Sequence, residues 1–491
     1  MPFAAPVALA PLLSFFATPI IGGLTIGGLA TTVALSGASY VLNKALAPKI
    51  RGGGIDEGQK ATIQQAVPSQ RLIYGRALVG GPIFFYECKP PYLYIGIVLA
   101  SHEIDAVEKI YINGKEVGFD GTGAASTVNF VNVTTPYVYR SIRLGTAAQA
   151  IDPILAADFP ELASTYRQRG HATIVLKCNY GSDADDHEKY WGSGAPQFLF
   201  LVRGMKVFDP REPTQSAADA ATWAWSDTAS LCLAHYLTFN KGCARSWDAI
   251  DLAALAQAAS DDAQSVTLAS GGVEARYTIN GVIDLATDPS EVVLNMLSAN
   301  LGRLVWREGV YSILSGVPRT AIWTFNDDTG RGDMSVRMHR DRKGLVNKVR
   351  TVFAAADREY QTVNGPVLRN AGYVTADGEE HEVTITLPLT ASHTMAQRIA
   401  NVIMERSRVG RFVSRRESIE VLRLSAADIV NIEVGFLPAL GGCFEINSLR
   451  LDHETFEFEI EAEEYAASIY DWSTADEQVF SIAPTELDGV N

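Results

Sequence analysis

Charge is missing from one end of this sequence and one sign of it from the other. Between Met1 and Asn43 there is no Asp, Glu, Lys, Arg or His, and Lys44 is the first charged side chain. From Leu451 to Asn491 there are twelve acidic residues, Asp452 to Asp488, and no Lys or Arg. The absence of a basic stretch before the first apolar run speaks against a secretory signal peptide. Cysteine is scarce: Cys88, Cys178, Cys232, Cys243 and Cys443 are an odd number, far apart, with no Cys-x-x-Cys spacing. A disulfide framework and a zinc or iron–sulfur signature are thereby excluded, and free thiols suit assembly in a reducing compartment. There is also no Gly-x-x-x-x-Gly-Lys-Ser/Thr, His-Glu-x-x-His or Gly-x-Ser-x-Gly, and the eight histidines are scattered. Phosphate cradling, zinc-protease and serine-hydrolase chemistry each lose their usual residue pattern.

What is present is a large globular chain. Its 491 residues are 47% hydrophobic and 20% charged, enough for about three to four domains with cores of their own. The net charge of -15 argues against a protein that coats DNA or anionic lipid. That charge is local, however, because outside the last 41 residues 41 basic side chains face 44 acidic ones.

The segment Ile20 to Leu42 is long enough to cross a bilayer, and Gly23-x-x-x-Gly27 is a spacing that lets helices approach closely. Pro11, Pro19, Gly22, Gly23, Gly27, Gly28 and Gly37 oppose a continuous helix, and Lys44, Lys49 and Arg51 alone follow it. The expectation is an apolar arm over residues 1–50, packed inside an oligomer or touching a membrane transiently. Ile20, Gly23, Leu24, Gly27 and Leu29 would be its lumen- or membrane-facing residues. A Gly-rich hinge over 51–60, opening with Arg51-Gly52-Gly53-Gly54, joins it to the body.

From Ile63 onward short β runs alternate with turn residues. Arg71 to Gly81 and Pro82 to Tyr86 read as two strands about a Gly-Gly turn, and Asn113-Gly114 as a type I′ hairpin turn within Val107 to Val117. Tyr92 to Leu99, Thr173 to Asn179 and Phe198 to Val207 are further strands. Capped helices follow: Thr228 to Phe239, Trp247 to Ala259 behind Ser246, and Val292 to Asn300 behind Asp288-Pro289-Ser290-Glu291. A hairpin over Arg303 to Leu314 completes an α+β unit. Beyond Pro318 strands return at Gly344 to Ala354, Glu382 to Leu387, Glu417 to Leu424 and Phe444 to Ile460, with one helix from Ser392 to about Ser407. At the end, Phe456, Phe458, Ile460 and Ala462 alternate with Glu457, Glu459, Glu461 and Glu463. That pattern puts four carboxylates on one strand face about 7 Å apart. They call for water, for an arginine such as Arg415, Arg416 or Arg423, or for a function that needs negative charge.

No catalytic, cofactor-binding or metal-binding residue is assigned. Ser182 to Glu188 is rich in carboxylates but lacks the fixed Gly and terminal Glu of an EF-hand loop, and a solvated turn is favoured over a cation site. Arg331-Gly332-Asp333 is too short to be specific. The basic run Arg337 to Arg350 lacks interleaved aromatics, so nucleic-acid binding is weakly indicated.

Several motifs occur in a recognisable order: Gln70-Arg71-Leu72-Ile73-Tyr74-Gly75-Arg76 with Val79-Gly80-Gly81, Val202-Arg203-Gly204-Met205-Lys206-Val207-Phe208-Asp209-Pro210-Arg211, and Trp225-Ser226-Asp227-Thr228-Ala229. Trp247-Asp248, Tyr277-Thr278-Ile279-Asn280-Gly281 and Asn347-Lys348-Val349 complete the set. Over roughly Thr62 to Trp472 the chain resembles the distal tail hub of long-tailed bacteriophages, the family of the lambdoid tail-tip attachment protein. The resemblance implies an α+β, mainly β, multi-domain hub with two β-barrel-like domains and an inserted α+β domain, assembled as a trimeric ring. It implies β-rich hub domains over 61–212, an α+β hub domain over 213–318, a β-barrel-like domain with one helix over 319–472 and an acidic tail over 473–491. Such a homotrimer, built in the host cytoplasm, would sit at the distal end of the virion tail against distal-tail and tail-tube proteins. It would surround the exit for the tape-measure protein and for DNA, which passes without sequence-specific binding. The lambdoid relative continues well beyond this length, so separate fibre or receptor-binding proteins are expected to recognise the host. On this reading the apolar arm lies in the lumen or meets the host membrane on opening, and Glu457, Glu459, Glu461 and Glu463 face the channel. The rival readings are a tip-associated cell-wall hydrolase and a membrane-anchored surface binding protein.

Overall fold

Gly75 divides the first β run in two. In the computed structural model it adopts φ +59, and the chain turns there. Arg71–Tyr74 consequently pairs with Gly281–Asp284, while Arg76–Val79 pairs with Phe198–Arg203 in a different sheet. The single strand expected over Arg71 to Gly81 is thus two strands serving two cores. The structure describes residues 69–480 except 128–129, 133–134, 163–164, 182–187, 189–190, 192–195, 308 and 453. The apolar arm, the hinge, the carboxylate-rich stretch 182–187 and the last eleven residues of the acidic tail lie outside the described residues.

The first core is enclosed by two four-stranded antiparallel sheets. One runs Arg76–Val79, Phe198–Arg203, Ala106–Ile112, Lys115–Glu116; the other runs Ile83–Lys89, Tyr92–Ala100, Ala172–Asn179, Val138–Arg143. Ile97, Ile110, Ile174, Phe198 and Phe200 meet between them. Phe198–Arg203 buries every second residue, as a strand with one apolar face must. Asn113 and Gly114 both have positive φ, as the Asn-Gly reading of that hairpin requires.

The second core belongs to the helices. Ala229–Thr238, Leu252–Asp262, Pro289–Ala299 and His393–Arg408 pack with the hairpin Arg303–Arg307/Val310–Leu314 and with a sheet centred on Lys348–Ala355. Asp288 caps Ser290 N–H with Pro289 in the first turn, and Ser392 caps Met395 N–H. Ser246 caps only the 3-10 turn Trp247–Ala249; the α-helix starts at Leu252, where Asp251 accepts from the N–H groups of Ala253 and Ala254. Two cap residues five positions apart compete there, and Asp251 satisfies two free amide donors against one for Ser246.

The third core lies inside a six-stranded sheet ordered Trp323–Phe325, Ile429–Ile432, Gly442–Leu451, Phe458–Glu464, Phe412–Glu417, Gly330–Arg337. Its edge strands are joined by residues 326–329 alone. That connection spans at most about 18 Å, whereas the edges of a flat six-stranded sheet stand about 24 Å apart. The sheet is therefore curled into a half-barrel, with Phe325, Val430, Phe444, Ile446 and Ile460 inside. Two sequence expectations are corrected here. Glu417 to Leu424 is not a strand: Phe412–Glu417 ends at Glu417, and Ile419–Arg423 is a 3-10 turn that buries Val421 and Leu424, three residues apart as 3-10 geometry dictates. Phe444 to Ile460 is a hairpin, broken where the Asp452 carboxylate accepts from Glu454 N–H in a side-chain-made turn.

Candidate functional site

Four of the six motifs named above converge on Gly75. Its carbonyl accepts from Gly204 N–H (2.8 Å) and from the Trp225 indole (3.3 Å), and Ile73 O accepts from Met205 N–H (2.8 Å). Arg76 N–H donates to the Asn280 side chain (2.8 Å), and the Arg76 guanidinium lies 4.5 Å over the Trp225 ring. Four segments up to 204 residues apart thus close one knot between the first two cores. No side chain larger than hydrogen fits at its centre. A Cβ on Gly75 would stand 2.0 Å from Ile279 O, and one on Gly204 would stand 2.1 Å from Ile73 O.

Two buried histidines hold the strand that enters this knot. His102 Nε2 accepts from Ile73 N–H (2.9 Å) while its Nδ1 faces Glu103 O (2.7 Å), which fixes the neutral Nδ1–H tautomer. Burial pulls His102 down to about 4. His235 Nδ1 meets the Tyr74 hydroxyl (2.8 Å), and burial pulls this imidazole down to about 3. Both are buried neutral anchors.

The second core is clamped to the half-barrel by buried charge. Glu445, on Gly442–Leu451, is met by Arg303 of the hairpin (2.6 Å), Arg319 of the connecting segment (2.8 Å) and Arg406 of the long helix (3.1 Å). Burial pushes the Glu445 carboxyl up, but Arg303, Arg406 and Arg319 outweigh it and hold the group below its usual range. This cluster was not legible in the sequence, because its members share no spacing and come from four separate elements.

The four-carboxylate face is smaller than the alternation suggested. Glu459 and Glu461 are exposed on Phe458–Glu464, with Arg416 and Arg450 opposite Glu459 on the two flanking strands. Arg416 is one of the cationic neighbours the sequence named. Glu457 precedes the strand, in the turn, and Glu463 is buried against Arg340. Phe456 points outward at φ +56 instead of continuing the apolar row. The basic run Arg337 to Arg350 is largely spent on carboxylates: Arg340 on Glu463, Arg342 on Glu379, Lys348 on Glu380 and Glu382, and Arg350 on Glu382.

One end of the half-barrel carries an apolar rim. Glu417, Phe458, Leu451 and Gly330 lie side by side in the register, so the segments 418–424, 452–457 and 326–329 emerge together. Gly435 N–H donates to the Asp327 carboxylate (2.9 Å), which ties the 433–437 loop to the 326–329 segment. These loops expose Ile419 (50%), Phe456 (61%), Leu422 (67%) and Phe436 (75%). Large apolar side chains clustered at such exposure mark contact surfaces.

Among the described residues no group of three or more His, Cys, Asp or Glu could hold a metal ion, and no helix is long and apolar enough to cross a membrane. Residues 288–442 match the model of a family described as putative phage tail protein. No curated protein matches the chain. Among solved structures, a chain from the virion of a native gene transfer agent particle superposes with a TM-score of 0.61 at 14% identity, covering 93% of this chain and 96% of that one. The 43 kDa tail protein of prophage MuSo2 from Shewanella oneidensis gives 0.28 at 9% identity, over 81% of this chain and 94% of that one. A prophage tail protein from Listeria monocytogenes gives 0.25 at 8% identity, over 39% and 56%. Of the three, the first alone speaks to the fold. Together the family match and this fold relate the chain to phage tail structural proteins.

Proposed function

We propose that this chain is the central hub of a phage-type tail tip: a homotrimer that closes the distal end of the tail tube, binds distal-tail and fibre proteins, and opens for the tape-measure protein and DNA. The observation that carries the reading is the shared fold across 93% of the chain with a virion protein. The family match at 288–442 and the ordered hub motifs, four of which build the Gly75 knot, point the same way. A rigid knot between cores and a salt-clamped half-barrel suit a part that transmits force during assembly and opening. The apolar arm, Ile20, Gly23, Leu24, Gly27 and Leu29 included, is proposed to line the lumen or to meet the host membrane. Glu459 and Glu461 are the carboxylates left to face the channel. Native mass spectrometry of the purified full-length protein, with imaging of particles lacking it, tests the reading. Trimers and tails with missing or open tips are expected; a monomer whose loss leaves tails intact would overturn it.

A further inference from the structure

We infer that the seam around Glu445 is an oxyanion-binding site. Three guanidiniums, those of Arg303, Arg319 and Arg406, converge on one carboxylate, so positive charge is in surplus among the groups in direct contact. Of the nearby carboxylates, Glu463 is paired with Arg340 and Asp428 with Arg307; Glu463 also acts on Arg406, and Asp261 feels Arg319, without an ion-pair contact. Tyr465 contributes only its hydroxyl, which accepts from Arg319 N–H (2.7 Å).

Donors are left over as well as charge. The Arg303 side chain is nine-tenths buried, yet its Nη2 has no partner, and Arg319 Nε is buried and unpartnered beside it. A buried cation without a counter-ion costs several kcal/mol, so such a surplus persists when something negative completes it. Water would satisfy the N–H groups but not the charge. A guanidinium presents its donors in a fork that fits two oxygens of one oxyanion. The seam also has an opening: the Arg319 side chain is 24% exposed against 10% for Arg303. The ligand that fits is a carboxylate, sulfate or phosphate group carrying one or two negative charges. It is either a free ion or a carboxylate of this chain's acidic end, where Glu486 and Asp488 stand.

The test uses the full-length protein, titrated with sodium sulfate and with inorganic phosphate against sodium chloride at matched ionic strength. If the ion comes from solution, Tm rises saturably by several degrees at millimolar sulfate or phosphate, calorimetry shows a binding heat, and Arg303→Met abolishes both. General exclusion of sulfate from protein surfaces gives no saturation and survives that substitution. If the chain's own end fills the site, the parent protein is indifferent to sulfate, whereas the Glu486→Gln/Asp488→Asn protein melts lower and is restored by it. Should Arg303→Met not fold, the comparison of the parent with the double variant decides alone. Equal Tm in sulfate and chloride for both proteins, with no loss in the double variant, would overturn the inference.

Discussion

Arg340 donates to the buried carboxylate of Glu463, tying the segment after strand Gly330–Arg337 to the end of the last strand of the half-barrel. Glu463 lies in the same sequence alternation as Glu459 and Glu461, yet it alone of these three is buried. Glu463→Gln should therefore lower stability by about 3–5 kcal/mol, because it strands the Arg340 guanidinium. Glu459→Gln and Glu461→Gln should each stay within about 0.5 kcal/mol. Urea unfolding of the three variants checks this. Only the exposed pair can then be used to test the proposed channel-facing role, since their loss leaves the fold intact.

Gly75→Ala should be far more damaging than a surface change of equal size. The position combines φ +59 with a Cβ that would meet Ile279 O at 2.0 Å. Backbone strain of about 1–3 kcal/mol is added to a clash with main chain that cannot swing away. A loss of at least about 3 kcal/mol, or failure to recover soluble protein, is expected. Denaturant midpoints near the parent's would mean that the knot is looser than its contacts indicate.

Two buried groups give opposite limbs to the pH profile. Burial raises the Asp262 carboxyl to about 6. The folded form therefore holds that proton more tightly than the unfolded chain, with its ordinary value of about 3.9. Stability from this group falls as pH rises from about 4 to about 6 and stays reduced above. Asp262→Asn keeps an acceptor for Ser230 N–H and should gain on the order of 2–3 kcal/mol above pH 6, vanishing below pH 4. His102 works the other way: held down at about 4, it loses its contribution as pH falls from about 6.5 through 4. His102→Gln should shrink that acid limb and leave the part contributed by His235, which burial pulls down to about 3. Urea melts from about pH 4 to 8 separate the two.

Local patterns in the sequence specify the structure where one rule governs. The Asn113-Gly114 turn, the Asp288 cap and the helix behind Ser392 all stand where their residues put them. Reading failed where distant contacts chose between local options. Gly75 lies in an unbroken β run, and nothing nearby shows that Gly204 and Asn280 turn the chain there. Ile419 and Leu422 have the apolar look of a strand, but the buried residues are Val421 and Leu424. Of the candidate site, the motif order was visible, while the Glu445 clamp and the apolar rim arise only when separate loops and strands are brought side by side.

The rim is where stability and assembly should part company. Ile419, Leu422, Phe436 and Phe456 touch water in the single chain, so truncating them removes little from the fold. Phe436→Ser and Leu422→Ser should change the unfolding free energy by no more than about 0.5 kcal/mol each. At an interface the same side chains become anchors, and losing one typically costs more than about 1.4 kcal/mol, or roughly tenfold in affinity. Phe456 sharpens the expectation: a Phe held at φ +56 in a turn pays a strain that Gly or Asn would avoid, which suits a side chain kept for contact. Combined replacement of Phe436 and Phe456 should thus leave a folded protein that associates at least about tenfold more weakly and enters particles poorly. Native mass spectrometry over a dilution series, together with counting the protein in purified particles, reads both effects. Normal oligomers and normal incorporation would show that this end of the half-barrel faces solvent in the virion.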